Sequence, residues 1–377
     1  MVRYDVDEVR WNDALQADID HWIESNRDTT IYVLHDDQKP TNIDPPHVDR
    51  SNLLIAMNSA RVIKDLHEIR LIRRANLISA YAHRSVLQAI RHFKNEAQIA
   101  ATFIDACMSK GTKYQAYSVI AASGENNSTL HYVKNNESLK GRQLVCLDAG
   151  CEWECYASDV TRTFPISGYW PSQDAKGIYD IVQSMQTSCI KKLKPGVRFL
   201  SLHILAHKIA IEGLLRLGIL QGGTPEEIYE SGTSRAFFPH GLGHHLGLEV
   251  HDVSPESILS FQTKEEAYPV LQTELSMPPC TADSSELEEG MVITVEPGIY
   301  FSRYALDHFY LPSPRFSRFI NTSVLKKYLT VGGVRIEDDI LITADGYENL
   351  TTAPKGEEML GIIRKGAGAS HVEEQTD

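Results

Sequence analysis

The chain has 377 residues, 42% of them apolar and 23% charged, enough for a large core in one big domain or two and unlike a disordered segment. Its 37 basic and 50 acidic side chains leave a net charge of −13, which repels phosphate backbones and anionic lipid, so neither nucleic acid nor a membrane is an expected partner. No apolar run approaches the roughly 18 residues that cross a bilayer, and the start, MVRYDVDEVRWND, lacks the character of a signal or transit peptide; the expected location is the cytoplasm.

In chain order, Trp11, Leu15, Ile19 and Trp22 predict an amphipathic helix over 8 to 26, and TTIYVLHDD (29 to 37) predicts a strand. The three prolines of KPTNIDPPHVDRSN make 39 to 52 a linker, with a boundary near 55. One helix and one strand cannot enclose a core of their own. Helical spacing then runs from Ile63 to Phe93, as one long helix or two in series. Asn95 with Gln98 is a capping box for a helix ending near Lys110-Gly111. Strands are predicted at 144 to 148 and 155 to 164, a helix capped by Ser172 and stopped by Pro195-Gly196, and another helix at 200 to 217. A polar, loop-like stretch over 253 to 289 precedes strands at 291 to 296 and 334 to 342. Helices and strands mix without strict alternation, which predicts an α+β fold.

Six scattered cysteines fit reduced thiols, and Cys151 with Cys155 lacks the second pair that a structural zinc site needs. Chemistry is better sought among carboxylates set in strands. Asp148 ends the apolar run LVCLD, Asp159 follows in a strand-like segment, and Glu296 ends MVITVE. Alternation in VRIEDDI places Arg335, Glu337 and Asp339 on one face. Converging acids repel unless divalent cations neutralise them. The segment FFPHGLGHHLGLEVHD (237 to 252) adds four histidines among glycines that no stable helix would tolerate. A lone Asp at a strand end is ordinarily a turn former, and HxxxH here lacks the Glu of a helical zinc-protease motif.

The ordered series LDAG, SDVTRTFP, HGLGHHLGLEVHD, VEPGIY and GGVRIEDD resembles the Xaa-Pro peptidases, aminopeptidase P and prolidase, of the pita-bread metallopeptidase family, over about residues 61 to 365. The resemblance implies a pita-bread catalytic domain over 59 to 377 and, in 1 to 58, the remnant of an N-terminal domain plus linker. It implies metal ligands at Asp148, Asp159, His244, Glu296 and Glu337, with Asp159 and Glu337 bridging two divalent ions, manganese first among them. His240 and His251 then line the cleft, Glu296 serves as general base and acid, and His245 is structural. His131, Tyr117 and Ile120 match positions beside a proline pocket, and Arg335 matches a substrate-side arginine. The implied reaction is hydrolysis, by a hydroxide bridging the metals, of the bond preceding proline in a peptide with proline second. A homodimer is expected over a monomer.

Prolidases place an arginine shortly before the VEPG strand to hold a dipeptide carboxylate, whereas between Asp252 and Ser302 this chain has no Arg and one Lys, Lys264. Losing that charge-assisted bond weakens dipeptide binding roughly ten- to a hundredfold, which favours Xaa-Pro aminopeptidase over prolidase. A pita-bread binding module without catalysis would lack ligands, and all five are present.

Overall fold

The computed structural model describes residues 7–26, 29–38, 48–253 and 286–366. Most of the predicted stretch 253 to 289, including Lys264, lies outside them. The chain divides into two units, Met1–Arg61 and Val62–Asp377, a division later than the boundary expected near 55, because a helix runs through that position.

In the first unit, α1 (Leu15–Ser25) turns Ile19 and Ile23 toward Val33 and Val48, while Trp11, Leu15 and Trp22 stay exposed, so the packed stripe is narrower than the predicted one. The strand expected over 29 to 37 shrinks to β1 (Ile31–Tyr32), paired in parallel with β2 (Val48–Asp49). It stops because the Gln38 side-chain oxygen accepts from the backbone N–H of Leu34 and His35 and curls the chain. Asp49 accepts from the N–H of Ser51 and Asn52 and starts α2 (Asn52–Val62).

In the second unit, the helical pattern from Ile63 breaks once. Ile63 to Asp65 are extended, with the Lys64 N–H donating to Gly290, and α3 (Leu66–Ala89) restarts at a capping box made by Asp65 and Glu68. The Asn95 box opens α4 (Glu96–Ser109) as predicted. Strands β3 (Tyr114–Gln115), β4 (Ile120–Ser123), β5 (Leu144–Asp148), β6 (Cys151–Trp153), β7 (Tyr156–Ala157) and β8 (Thr161–Pro165) follow. The strand predicted over 155 to 164 is thus two, and Asp159 lies between them. Helices α5 (Gln173–Ile190), capped by Ser172, α6 (Phe199–Arg216) and α7 (Pro225–Ser231) pack in sequence. Next come β9 (Val292–Val295), β10 (Gly298–Tyr300), short helices α8 (Arg303–Ala305), α9 (Pro314–Ser317) and α10 (Thr322–Leu325), then β11 (Gly333–Arg335), β12 (Asp338–Ile342), β13 (Tyr347–Asn349) and α11 (Gly356–Lys365). The strand predicted over 334 to 342 divides at Ile336-Glu337.

Four antiparallel sheets result: β4-β5-β8, β3-β6-β7, β9-β12-β13 and β10-β11. Isolated bridges add to them: Thr161 of β8 opposite Glu337 at the break between β11 and β12, and His245 of the histidine segment opposite Ile293 of β9. One apolar cluster gathers α3 to α6 and the inner faces of the strands, so the sheets' ends are held by a single core.

That core contains neutral histidines. Burial pushes His83, His207 and His245 down to about 3 and His203 well below its ordinary value. Each takes up a proton on unfolding below pH 6.5 but not while folded, so its contribution to stability is complete above that pH and is lost as pH falls toward 3. The thermal midpoint should therefore drop between pH 7 and pH 5, with net proton uptake on unfolding seen by calorimetry in buffers of different ionisation enthalpy. A midpoint constant over that range would contradict the assignment.

Candidate metal centre

Local geometry explains how distant residues meet. Beyond Asp148 the chain turns at Ala149-Gly150, and a Cβ on Gly150 would lie 1.8 Å from the Ser158 carbonyl oxygen, so only glycine permits this approach. Strands β6 and β7 form a tight hairpin through Glu154 and Cys155, both at positive φ, and the Ala149 N–H donates to Val160. The hairpin returns Asp159 beside Asp148. It also separates the two cysteines singled out in the sequence: Cys151 is buried against Ser79, and Cys155 is exposed at the tip.

The glycine-rich histidine segment runs as an irregular extra strand along β9. The His244 carbonyl accepts from the Thr294 N–H and the Leu242 carbonyl from the Glu296 N–H, both at 2.8 Å. A Cβ on Gly243 would fall 2.0 Å from the Thr294 carbonyl oxygen, which is why glycine stands there. His244 Nε2 consequently lies 3.3 Å from Glu296 Oε1 and 3.5 Å from Asp159 Oδ2. Glu337, at the break between β11 and β12, donates its N–H to Thr161 and accepts 2.6 Å from the Thr161 hydroxyl.

Three overlapping groups follow, each with ligand atoms within 4.8 Å of one another: Asp148, Asp159 and Glu337; His244, Glu296 and Glu337; and Asp159, His244 and His251. Burial pushes the Asp159 carboxyl up to about 6, reinforced by the charges of Asp148 and Glu296 and opposed by His244. Burial and then the charges of Asp159, Glu296 and Asp148 raise Glu337 well above the usual carboxylate range. Burial, the largest single influence, would raise Glu296 too, but the hydrogen bond and charge of His244 together with the charges of His240 and Arg335 outweigh it and hold the carboxyl at about 2. Glu337 Oε1 is buried without a hydrogen-bond partner, a costly state for an acceptor that a cation would relieve. Oxygen donors with one imidazole suit a hard or borderline divalent ion, so the residues fit a metal centre.

Around these acids, Tyr117 donates to Asp148 Oδ1 at 2.6 Å, and burial followed by the Asp148 charge raises its hydroxyl well above 10. Arg335, which matches a substrate-side arginine, is 4% exposed, its nitrogens donating to Asp148 Oδ2 (2.6 Å), the Tyr300 hydroxyl (2.9 Å) and the Thr161 hydroxyl (3.2 Å). The kink at Ile336-Glu337 and the pull of the Asp148 charge turn it onto the acids. Ile120 pairs in register with Asp148, but its side chain is covered by Ala122 and Tyr132. His131 is exposed on the turn after Leu130. His240 Nε2 lies 2.8 Å from the Tyr300 hydroxyl, and the ring of exposed His251 stands edge-on to His244 with centroids 4.4 Å apart. Burial lowers both imidazoles, His240 and His251. His245 is fully buried and takes no part.

Sequence reasoning gave no role to Thr161, Thr294, Tyr300, Asp339 or Asn76. Asp339 Oδ2 accepts from the Asp159 N–H at 2.9 Å and from Asn76 at 2.7 Å. Thr161 and Tyr300 stand inside SDVTRTFP and VEPGIY, so their signal was position within a motif; Asn76, a polar residue on the buried face of α3, had none.

The profile of metallopeptidase family M24 matches residues 70–344. A "Probable Xaa-Pro aminopeptidase" of Pyrenophora tritici-repentis is 57% identical over 381 residues, covering 97% of this chain and 58% of that protein. Another from Aspergillus fumigatus is 57% identical over 367 residues, covering 97% and 75%. Among solved structures, proline aminopeptidase P II from Yersinia pestis superposes with a TM-score of 0.68 at 32% identity, over 84% of this chain and 63% of that one. Escherichia coli aminopeptidase P with the inhibitor Pro-Leu gives 0.69 at 29%, over 95% and 69%. The chain thus spans little more than half the length of the Pyrenophora protein. The mixed fold expected from the sequence is the pita-bread arrangement of these structures. With a matching profile over most of its length and a relative so alike, the chain belongs to metallopeptidase family M24.

Proposed function

We propose that the chain is a dinuclear Xaa-Pro aminopeptidase, releasing the residue that precedes proline at a peptide's N-terminus. The observation that carries this is the convergence of Asp148, Asp159, His244, Glu296 and Glu337 around a buried, unsatisfied carboxylate oxygen. These five would hold two divalent ions, and manganese would suit the oxygen-rich donors. Such ions, when bound, lower the pKa of water and polarise a carbonyl.

The chain's own residues do the rest. Glu296, held ionised beside His244, takes the proton released on attack and carries it to the leaving imino nitrogen. Arg335 and Tyr117 fix both oxygens of Asp148. Tyr300 joins Arg335 to His240, orienting that imidazole toward the peptide, and exposed His251 stands at the mouth. His131 offers an aromatic face to the proline ring. The acid balance around the ions favours a free substrate amino group.

Preference for longer peptides over dipeptides is supported by the lack of a nearby cation: among the described residues 286–302 there is none, and Arg303 beyond them pairs with Glu125. Manganese-loaded protein should cleave an Xaa-Pro-Yaa tripeptide at least about tenfold better in kcat/KM than the matching Xaa-Pro dipeptide, the worth of one charge-assisted bond. A chelator should abolish both reactions, with restoration on adding manganese. A metal-loaded chain that cleaves neither would end this reading, and a preference for the dipeptide would turn it to prolidase.

A further inference from the structure

Glu96 is a fully buried carboxylate at the start of α4, away from the acid cluster. It faces no cation. Its Oε1 accepts from the Ser123 N–H (2.9 Å), the Ser123 hydroxyl (2.6 Å) and the Asn126 amide (3.0 Å). Its Oε2 accepts from the Tyr132 hydroxyl (2.7 Å) and the Glu137 N–H (3.0 Å). All five donors belong to the segment between the end of β4 and Glu137, and they include residues at both ends of that segment. An apolar residue at Glu96 would satisfy helix packing equally well, so a buried charge here has another use.

The segment so gathered packs against β11, which carries Arg335 beside the acid cluster. Asn127 reaches the Gly333 carbonyl at 3.3 Å, and a Cβ on Gly332 would sit 1.9 Å from the Gly124 carbonyl oxygen, so the segment lies directly on the glycine pair that leads into β11. The Leu130 carbonyl lies 3.5 Å from Arg335. His131 follows Leu130 on the same turn, one residue beyond the carbonyl that meets Arg335. Two of Glu96's donors, Asn126 and Tyr132, bracket His131 in sequence.

We infer that Glu96 is a positioning residue for substrate recognition: its carboxylate cinches residues 123 to 137 so that His131 is held against the cleft, and binding of the proline side of the substrate depends on it. This rests on the proposed Xaa-Pro specificity, which supplies the role of His131. Glu96 touches neither substrate nor ligands, so its loss should appear in KM and leave kcat nearly unchanged.

The test is Glu96→Gln, which keeps size but sets an amide donor against donors, with Tyr132→Phe as a milder variant that removes one hydroxyl. For an Xaa-Pro-Yaa substrate, Glu96→Gln should raise KM about tenfold with kcat within about twofold, and Tyr132→Phe should shift KM in the same direction by less. Hydrogen exchange of the amides at 124 to 136 should quicken in both, whereas α4 beyond its first turn stays protected. In a His131→Ala background the Glu96→Gln effect on KM should largely vanish, because the two act through one contact. An unchanged KM in Glu96→Gln, or an effect that simply adds to that of His131→Ala, overturns the inference while wild-type cleavage keeps the functional reading intact. Absence of wild-type cleavage removes the functional reading, and with it the substrate role of Glu96. Exchange at 124 to 136 unaltered by Glu96→Gln overturns the positioning role on either outcome.

Discussion

Asp159→Ala and His244→Ala should each reduce hydrolysis of an Xaa-Pro-Yaa peptide by more than about a thousandfold and release metal, while the proteins remain folded. Asp159 and His244 each belong to two of the three ligand groups and share one, so each deletion leaves an incomplete set. Their loss should not unfold the chain. Asp159 has its carboxyl raised to about 6 by burial, so without a cation it is a liability to the fold between pH 4 and 6 and above, and removing it relieves like-charge repulsion with Asp148 and Glu296. Metal content by elemental analysis and a melting curve of the metal-free protein check both halves. Retained metal with full turnover in either variant would refute the ligand assignment.

Arg162→Ala should cost about 3–5 kcal/mol of stability, the largest effect expected outside the acid cluster. The guanidinium is buried, with donors to the carbonyls of Thr161 (2.9 Å), Glu337 (2.7 Å) and Ala353 (2.7 Å), and it lies 2.8 Å from Asp338 Oδ1. Truncation leaves those acceptors short of a donor and deprives buried Asp338 of one of two cations, the other being Lys355. Arg162→Lys should recover only part of the loss, since an ammonium cannot span the same carbonyls. Urea unfolding measures the difference, and a change below about 1 kcal/mol would show that the staple is dispensable. Because Arg162 ties Thr161 to Glu337 through their backbones, weaker metal retention should accompany the lower stability.

The starts of α4 and α5 were legible to the residue, since Asn95 with Gln98 and Ser172 satisfy specific N–H groups that the sequence advertises, whereas α5 ends at Ile190, short of the predicted stop, and the capping boxes of Asp65 and Thr224 went unread. Strands were less so. The segments around Asp159 and Glu337 look continuous by alternation, yet each breaks where a side chain must leave the sheet to join the cluster, and alternation carries no record of a break. Motif order singled out the acids and His244, which the fold brings together. It gave no sign that Arg335 would spend its donors on Asp148 and Tyr300, because that depends on which groups the fold leaves nearby. The α2 helix was hidden by the prolines before it, and the break at Lys64 by an apolar rhythm that passes unaltered through an extended tripeptide.

The bridge between Thr161 and Glu337 has a bearing on how the protein is made. A nascent chain presents Asp148 and Asp159 early, but the bond that seats Glu337 forms only when that residue, 176 positions after Thr161, has left the ribosome. On the proposed ligand set, ion capture therefore waits for Glu337, and products ending before that residue lack the acid that completes the set.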